Sequence, residues 1–439
     1  MSGHAQETLV VDINVIGLNE NQTTATSQLG EACESLGNDT SDEALALQAV
    51  CDLIDSLDEN DPEDLRRLQE IGDAVAIEEA FAMHDSLVAV SDFQTTNVRA
   101  RLDALREPVL SEEEDWQAGQ REVFPGDRID PLLVAVPDGA QAEQRGGAAS
   151  GDLFSRLGGF INGHVSSGEM DGLELERSSE ISSSSVTFGA DYRFSDNVIG
   201  GLGLGFLSDD ISFRQVAGGA ESEGLNITAF ASWYESDEGY VDIVLDVGGI
   251  DFETERSVAI DSTSSLSAVA SPSSTARTIT VSGGRTFKPR GWDLGAYFRL
   301  SHTRATIDAY TENRRGGEPS EFAAIFSISK QSVVSTKMVV GLEATKVVST
   351  ARAVVIPLLR LEYITENDTD KDDIEATLDY TGTTASYRGT DRVSSYSNVG
   401  FGASAVFSRG RSAFAFYETH LQHDLATQDW LKFGLRLEF

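Results

Sequence analysis

Few residues in this 439-residue chain have the types and spacing that chemistry needs. His420 and His423 stand three apart. On a strand that spacing puts them on opposite faces, so a metal pair is not expected. His164 stands alone between Gly163 and Val165 and reads as a polar strand residue rather than a base. The run Asn367-Asp368-Thr369-Asp370-Lys371-Asp372-Asp373 alternates carboxylates that could hold Ca²⁺. It lacks the glycine of an EF-hand turn, and a solvated loop accounts for it as well. No G-x-S-x-G elbow occurs. No enzymatic activity, cofactor or metal is therefore expected. Cys33 and Cys51, 18 positions apart, are the only cysteines. An even pair without metal-type companions suits an oxidising compartment and one disulfide, with two buried thiols as the alternative.

The charge of −39 is unevenly spread. Residues 1–150 hold 32 acidic and 8 basic residues and no Lys, against 40 and 25 in the remaining 289. This balance excludes nucleic acid as the main partner, because phosphate binding needs Lys and Arg. It also disfavours docking on an anionic lipid surface. No run of 18 uncharged apolar residues exists, so no transmembrane helix is expected. A membrane barrel hides its hydrophobicity in alternation and stays open. The first residues carry no basic segment followed by an apolar one. Gly3-His4-Ala5-Gln6 looks like the tail of a signal cleavage region, as a start called too late or a nearly mature chain would show, with a chance match as the alternative.

The elements that must position these residues fall into two kinds. Residues 19–106 read as helices. Thr40-Ser41-Asp42-Glu43 is a capping box with Thr40 as cap, and Leu47, Val50, Ile54 and Leu57 follow as one apolar stripe. Asp61-Pro62 is a second start signal, followed by Leu65, Leu68, Ile71 and Val75. A third helix is expected from about Val75 to Arg106, with Val98, Leu102 and Leu105 as its last apolar face. Residues 107–150 read as a linker and 151–439 as a second, β-rich domain.

From Leu153 the period changes to two. Val241, Ile243, Leu245 and Val247 alternate with Tyr240, Asp242, Val244 and Asp246. Leu431, Phe433, Leu435, Leu437 and Phe439 alternate with Lys432, Gly434, Arg436 and Glu438. The segments run longer than the usual five or six residues of soluble strands and reach the roughly nine to eleven of a membrane crossing. We expect twelve strands, at about 153–166, 182–194, 197–208, 222–236, 239–255, 274–288, 291–309, 323–347, 351–365, 393–408, 411–422 and 428–439. Short turns alternate with longer links at about 167–181, 209–221, 256–273, 310–322 and 366–392. That alternation marks an outer-membrane barrel with both ends on the periplasmic side. The fold class is thus an all-β transmembrane barrel of about 12 antiparallel strands, preceded by a small acidic α-helical region. In the last strand Leu431 to Phe439 should face lipid and Lys432, Arg436 and Glu438 the lumen. Leu435→Arg should then be damaging and Gly434→Ser mild. Arg156, Asp242, Arg299, Arg360, Glu362, Glu418, Lys432 and Arg436 are expected as pore-lining charges that could pair across the lumen, with general lumen polarity as the alternative.

These residues carry a resemblance. Leu153-Phe154-Ser155-Arg156-Leu157-Gly158-Gly159-Phe160-Ile161-Asn162-Gly163 resembles the first barrel strand of the autotransporter (type V secretion) translocator domain. Thr187 to Asn197 resembles that family's second strand and turn, Ala351 to Tyr363 its ninth and Ser412 to Thr419 its eleventh. Gly434-Leu435-Arg436-Leu437-Glu438-Phe439 is similar to its terminal strand. The resemblance implies that Leu435, Leu437 and Phe439 form the signal read by the outer-membrane barrel assembly machinery. Phe93 to Arg106 is similar to the helical segment preceding many such barrels. The family then implies a monomeric barrel in outer-membrane lipid of a Gram-negative bacterium. It translocates or anchors its own N-terminal segment at the cell surface. The alternatives are an outer-membrane pore with a periplasmic helical domain and a barrel-borne hydrolase. Ser86–Arg106 is the expected pore helix, although 46 residues separate Arg106 from Leu153; residues 138–150 are the other candidate plug. No Asn-Asn pair supports the self-cleavage some relatives use, and Gly151-Asp152-Leu153 lacks the serine of the Gly-Asp-Ser-Leu esterase passengers.

Overall fold

The computed structural model describes residues 18–106 and 156–438, apart from 59, 171–177, 215–217, 236–238, 259–265, 319–320, 351, 372, 390–392, 408–410 and 422–425. Four helices come first: α1 (Glu20–Ser35), α2 (Asp42–Asp55), α3 (Pro62–Val75) and α4 (Glu78–Arg106). Asn19 opens α1 with a reciprocal capping box to Gln22. Ser41, not Thr40, caps α2: its hydroxyl accepts from the Ala44 amide at 3.2 Å. Asp61 caps α3 and Pro62 sits at its start, where a missing N–H costs nothing. Leu29, Leu47, Ile71 and Met83 are fully buried between these helices, each such side chain contributing about 1.5–3 kcal/mol. Cys33 and Cys51 are joined by a disulfide that ties α1 to α2.

Twelve long strands follow: β1 (Leu157–Met170), β2 (Ser179–Ser195), β3 (Val198–Phe213), β4 (Gly218–Glu235), β5 (Gly239–Ser257) and β6 (Ser273–Phe287). The second half comprises β7 (Asp293–Ile307), β8 (Gln331–Thr345), β9 (Ala353–Lys371), β10 (Val393–Phe407), β11 (Arg411–Leu421) and β12 (Ala426–Glu438). Each pairs antiparallel with the next, and β1 pairs with β12 from Gly158↔Glu438 to Met170↔Ala426, so the barrel closes. Closure leaves no unpaired edge, the condition for crossing a bilayer with strands.

Several boundaries differ from the sequence reading. The eighth strand begins at Gln331 rather than 323, and Phe326–Ile328 joins a separate four-stranded sheet with Tyr310–Thr311, Ile374–Leu378 and Thr384–Tyr387. The acidic run at 367 is no loop: residues 367–371 continue β9 as strand. Strands β2 to β5 overrun the expected ends, so the link between β3 and β4 shrinks to 214–217. Residues 153–155, the first three of the run likened to a first strand, lie outside the described residues, as do His423, the linker 107–150 and Phe439.

Two faces alternate along the wall. Leu431, Phe433, Leu435 and Leu437 are exposed, as are Leu294, Phe298, Leu300, Val241, Ile243, Leu245 and Val247. These make the lipid belt. Inward positions mix small and polar residues with apolar ones such as Ile199, Phe230 and Val244, and several inward rings lie over a glycine of the next strand. Phe160 faces Gly189, Tyr297 faces Gly341 and Phe414 faces Gly434 in register. A methyl on Gly434 would stand 2.1 Å from Asn162 Oδ1 and 2.3 Å from the Phe414 ring. Gly434→Ser is therefore a clash rather than the mild change the sequence suggests.

Candidate functional site

The lumen is filled by α4. Among the described residues its C-terminal half packs Val98, Leu102 and Leu105 onto Phe160, Ile199, Phe230 and Val244 of the wall. Its remaining faces are polar yet buried, because every face meets wall or lumen. Asn97 Nδ2 donates to Ser185 Oγ and Thr187 Oγ1, both at 2.9 Å, and Asn162 Nδ2 donates to the Asn97 carbonyl at 2.7 Å. Thr187 Oγ1 donates to Gln94 Oε1 at 2.6 Å. Arg101 is 1 % exposed and binds Asp191 through Nε at 2.7 Å and a terminal nitrogen at 2.6 Å. Its guanidinium also lies over the Phe160 ring at 5.5 Å.

The expected pore-lining charges pair with α4 and with adjacent strands rather than across an open lumen. Glu362 takes Arg99 of α4 and Arg299 of β7, each at 3.5 Å, and also accepts from the Tyr297 hydroxyl. Arg360 reaches Asp103 of α4 at 3.2 Å and Glu343 of β8 at 3.3 Å. Lys432 pairs with Glu418 at 3.1 Å, and Arg436 donates to the Ala104 carbonyl at 2.7 Å. Asp242 is buried on β5 and accepts from Ser282 at 3.4 Å. Arg156 precedes β1 and is exposed. His164 is buried, with Nδ1 2.9 Å from Ser185 Oγ and its ring against Phe93.

Beside α4 a cavity of about 210 Å³ remains. It is lined by Asp92, His164, Lys337, Glu366, Glu418 and His420, among others. Lys337 bridges Asp92 of α4 and Glu366 of β9. Six carboxylates and four Arg or Lys side chains line it together with apolar residues such as Phe93, Ile181 and Trp430. Among the described residues no group of three His, Cys, Asp or Glu is placed to hold a metal ion.

The helix has a direction. Arg101 and Ala104 meet Asp191 and Arg436 near the short turns, whereas His84 meets Gln331 and Glu79 meets Arg256 at the ends carrying the long links. There α1–α3 sit on the separate four-stranded sheet. Gln28 Nε2 donates to the Ala376 and Thr383 carbonyls at 2.9 Å, and Tyr387 donates to Gln28 Oε1 at 2.7 Å. Asn21 Nδ2 donates to the Arg388 carbonyl at 3.1 Å. Leu29, Leu47 and Ile71 share one apolar core with Phe326, Ile374 and Leu378 of that sheet and Ile250 and Phe252 of β5. The sequence reading missed this network. Its signal was a helix with no solvent face, whose Gln94, Asn97, Arg99 and Arg101 fall among small residues.

A closed twelve-strand barrel with a lipid belt and an axial helix defines a transmembrane barrel of the outer-membrane type. Residues 159–418 match the family model "Autotransporter beta-domain", which is more than half of the chain. The protein belongs to that family: it is an outer-membrane barrel that secretes its own N-terminal passenger. The fold is similar to the translocator domain of autotransporter NalP from Neisseria meningitidis, with TM-score 0.51 and 17 % identity over 65 % of this chain and 89 % of that one. The beta domain of the Bordetella autotransporter BrkA gives 0.48 at 17 % identity, over 65 % of this chain and 100 % of that one. The transport unit of AIDA-I from Escherichia coli gives 0.43 at 10 %, over 65 % and 90 %. No curated protein matches the chain.

Proposed function

We propose that residues 1–106 are a small passenger that reaches the outer face and stays there, α4 filling the pore and α1–α3 capping its mouth. The observation that carries this is the core shared by α1–α3 and the sheet of the long links. Long links of outer-membrane barrels face outward. A helical domain left in the periplasm would sit at the short-turn end instead. The chain acts as a secretion and anchoring device without catalytic activity. The C-terminal Leu435, Leu437 and Phe439 serve the assembly machinery, and the barrel works as a monomer in outer-membrane lipid. The test is an epitope inserted in the exposed turn 37–40. Antibody should label intact cells. Labelling only after the outer membrane is permeabilised would assign the helices to the periplasm.

A further inference from the structure

Arg256, near the end of β5, is the centre of a buried knot. Its side chain is 6 % exposed, and those of Glu79 and Glu312 are 1 % and 2 %. Nε donates to Glu79 Oε1 at 2.9 Å, and a terminal nitrogen donates to Glu312 Oε2 at 2.6 Å. The other terminal nitrogen donates to the Ala74 carbonyl at 2.7 Å, and the Ala324 carbonyl accepts at 2.9 Å. Glu312 Oε2 in turn accepts from the Phe326 amide at 2.9 Å. One guanidinium thus fastens the end of α3, the start of α4, the barrel wall and the link between β7 and β8.

The charges do not balance. Two buried carboxyls face one cation: Arg256 Nε lies 2.9 Å from Glu79 Oε1 and 3.3 Å from Glu312 Oε1. Burying two carboxyls beside one cation is costly, and Glu79 accordingly holds its proton more tightly than a hydrated carboxyl does. We propose that this knot is a proton-operated latch: the proton on Glu79 holds the α1–α3 cap on the barrel mouth, and its loss loosens the cap. The knot lies above the lipid belt, since the outward residues of β5 beyond Val247 are Gly249, Asp251, Glu253 and Glu255. Facing Glu79 are Arg256 from β5, Glu312 and Tyr310 from the β7–β8 link, and Tyr387 from the hairpin. Both tyrosines are pushed up by burial and stay neutral. His84, further along α4, is engaged with Gln331.

Burial, reinforced by Glu312 and opposed by Arg256, pushes Glu79 up to about 7. An undocked, hydrated Glu79 would return to the ordinary carboxylate value. The docked state therefore binds more protons than the undocked one. Docking is strongest below the ordinary value, weakens as pH rises towards 7, and is level above it. The docking constant should fall by roughly two orders of magnitude across that window.

The latch rests on the reading of α1–α3 as a resident cap, but its test does not depend on which side of the membrane the cap occupies. Spin labels at exposed Arg67 on α3 and Asp196 in a short turn report docking in the purified full chain in lipid nanodiscs. A single narrow distance is expected at pH 5.5 and a broad component above pH 7. Glu79→Gln should stay narrow throughout. An unchanged wild type, or wild type and Glu79→Gln broadening together, overturns the latch. If Glu79→Gln is broad even at pH 5.5, Glu312→Gln decides: narrow at every pH supports the latch, and broad at pH 5.5 overturns it.

Discussion

Removing the cation that pins the lower end of α4 should let the helix leave the pore. Arg101 and Asp191 are 1 % and 5 % exposed, so water cannot solvate either once its partner is gone. Arg101→Met leaves a buried carboxylate alone, which costs about 3–5 kcal/mol. The contact of the guanidinium with Phe160 adds to the loss without being additive to it. Converted at about 1.4 kcal/mol per tenfold, the displaced-helix state should become roughly a hundredfold to a few thousandfold more populated. Planar-bilayer recordings of purified protein should then show long openings that the wild type lacks. Arg101→Met/Asp191→Leu replaces both charges by apolar groups of similar bulk, and such replacements are often neutral. The double variant should return most of the way to the quiet wild type. Two results would refute the reasoning: a quiet single variant, or a double variant as leaky as the single one.

Leu435 is 60 % exposed on the lipid face, so Leu435→Arg should cost about 2–4 kcal/mol and lower the thermal unfolding of the barrel, read by heat-modified gel mobility. Gly434→Ser should lower it too, through the clash with Asn162 and Phe414; an unshifted transition would show that the Phe414 ring yields. The Cys33–Cys51 loop of 18 residues should contribute about 3 kcal/mol to the cap, so alkylation without reductant should find no thiol, and reduction should raise hydrogen exchange in α1 and α2 alone. Phe439→Ser should lower outer-membrane levels of the barrel; undiminished levels would exclude a role in assembly.

The barrel was legible because lipid enforces alternation. A register slip of one residue in β12 would move Lys432 and Arg436 into hydrocarbon, so the pattern of Leu431, Phe433, Leu435 and Leu437 admits one reading. The lumen was less legible. Arg360, Glu362 and Glu418 announce a polar interior, but strand spacing does not say whether they meet each other or a helix. Nor does Arg101 differ locally from Arg66, which is exposed and pairs with Glu70 on its own helix. Only the closed wall makes one of them structural. Gly434 misled for a related reason: a small inward residue looks like spare room until the ring of Phe414 is placed over it.

The overhanging strands carry one signal that ties cap to barrel. Along β5 the outward side is Val241, Ile243, Leu245 and Val247, and the inward side includes Asp242 and Asp246. After Gly248 and Gly249 the polarity inverts: Asp251, Glu253 and Glu255 face out while Ile250 and Phe252 face in. On β3, Leu202, Leu204 and Phe206 give way to Ser208 and Asp210 outside, with Ile211 inside. The outward change marks where lipid ends, since carboxylates need water. The inward apolar residues have a different cause, since Ile250 and Phe252 are buried in one core with the helices. Apolar residues turned into the mouth require something apolar to cover them. Leu29, Leu47, Phe81 and Met83 of the helices supply it, joined in one core with Ile250, Phe252, Ala276, Ala305 and Ile307 of the wall. The barrel mouth is thus built as half of a hydrophobic core whose other half is the N-terminal helices.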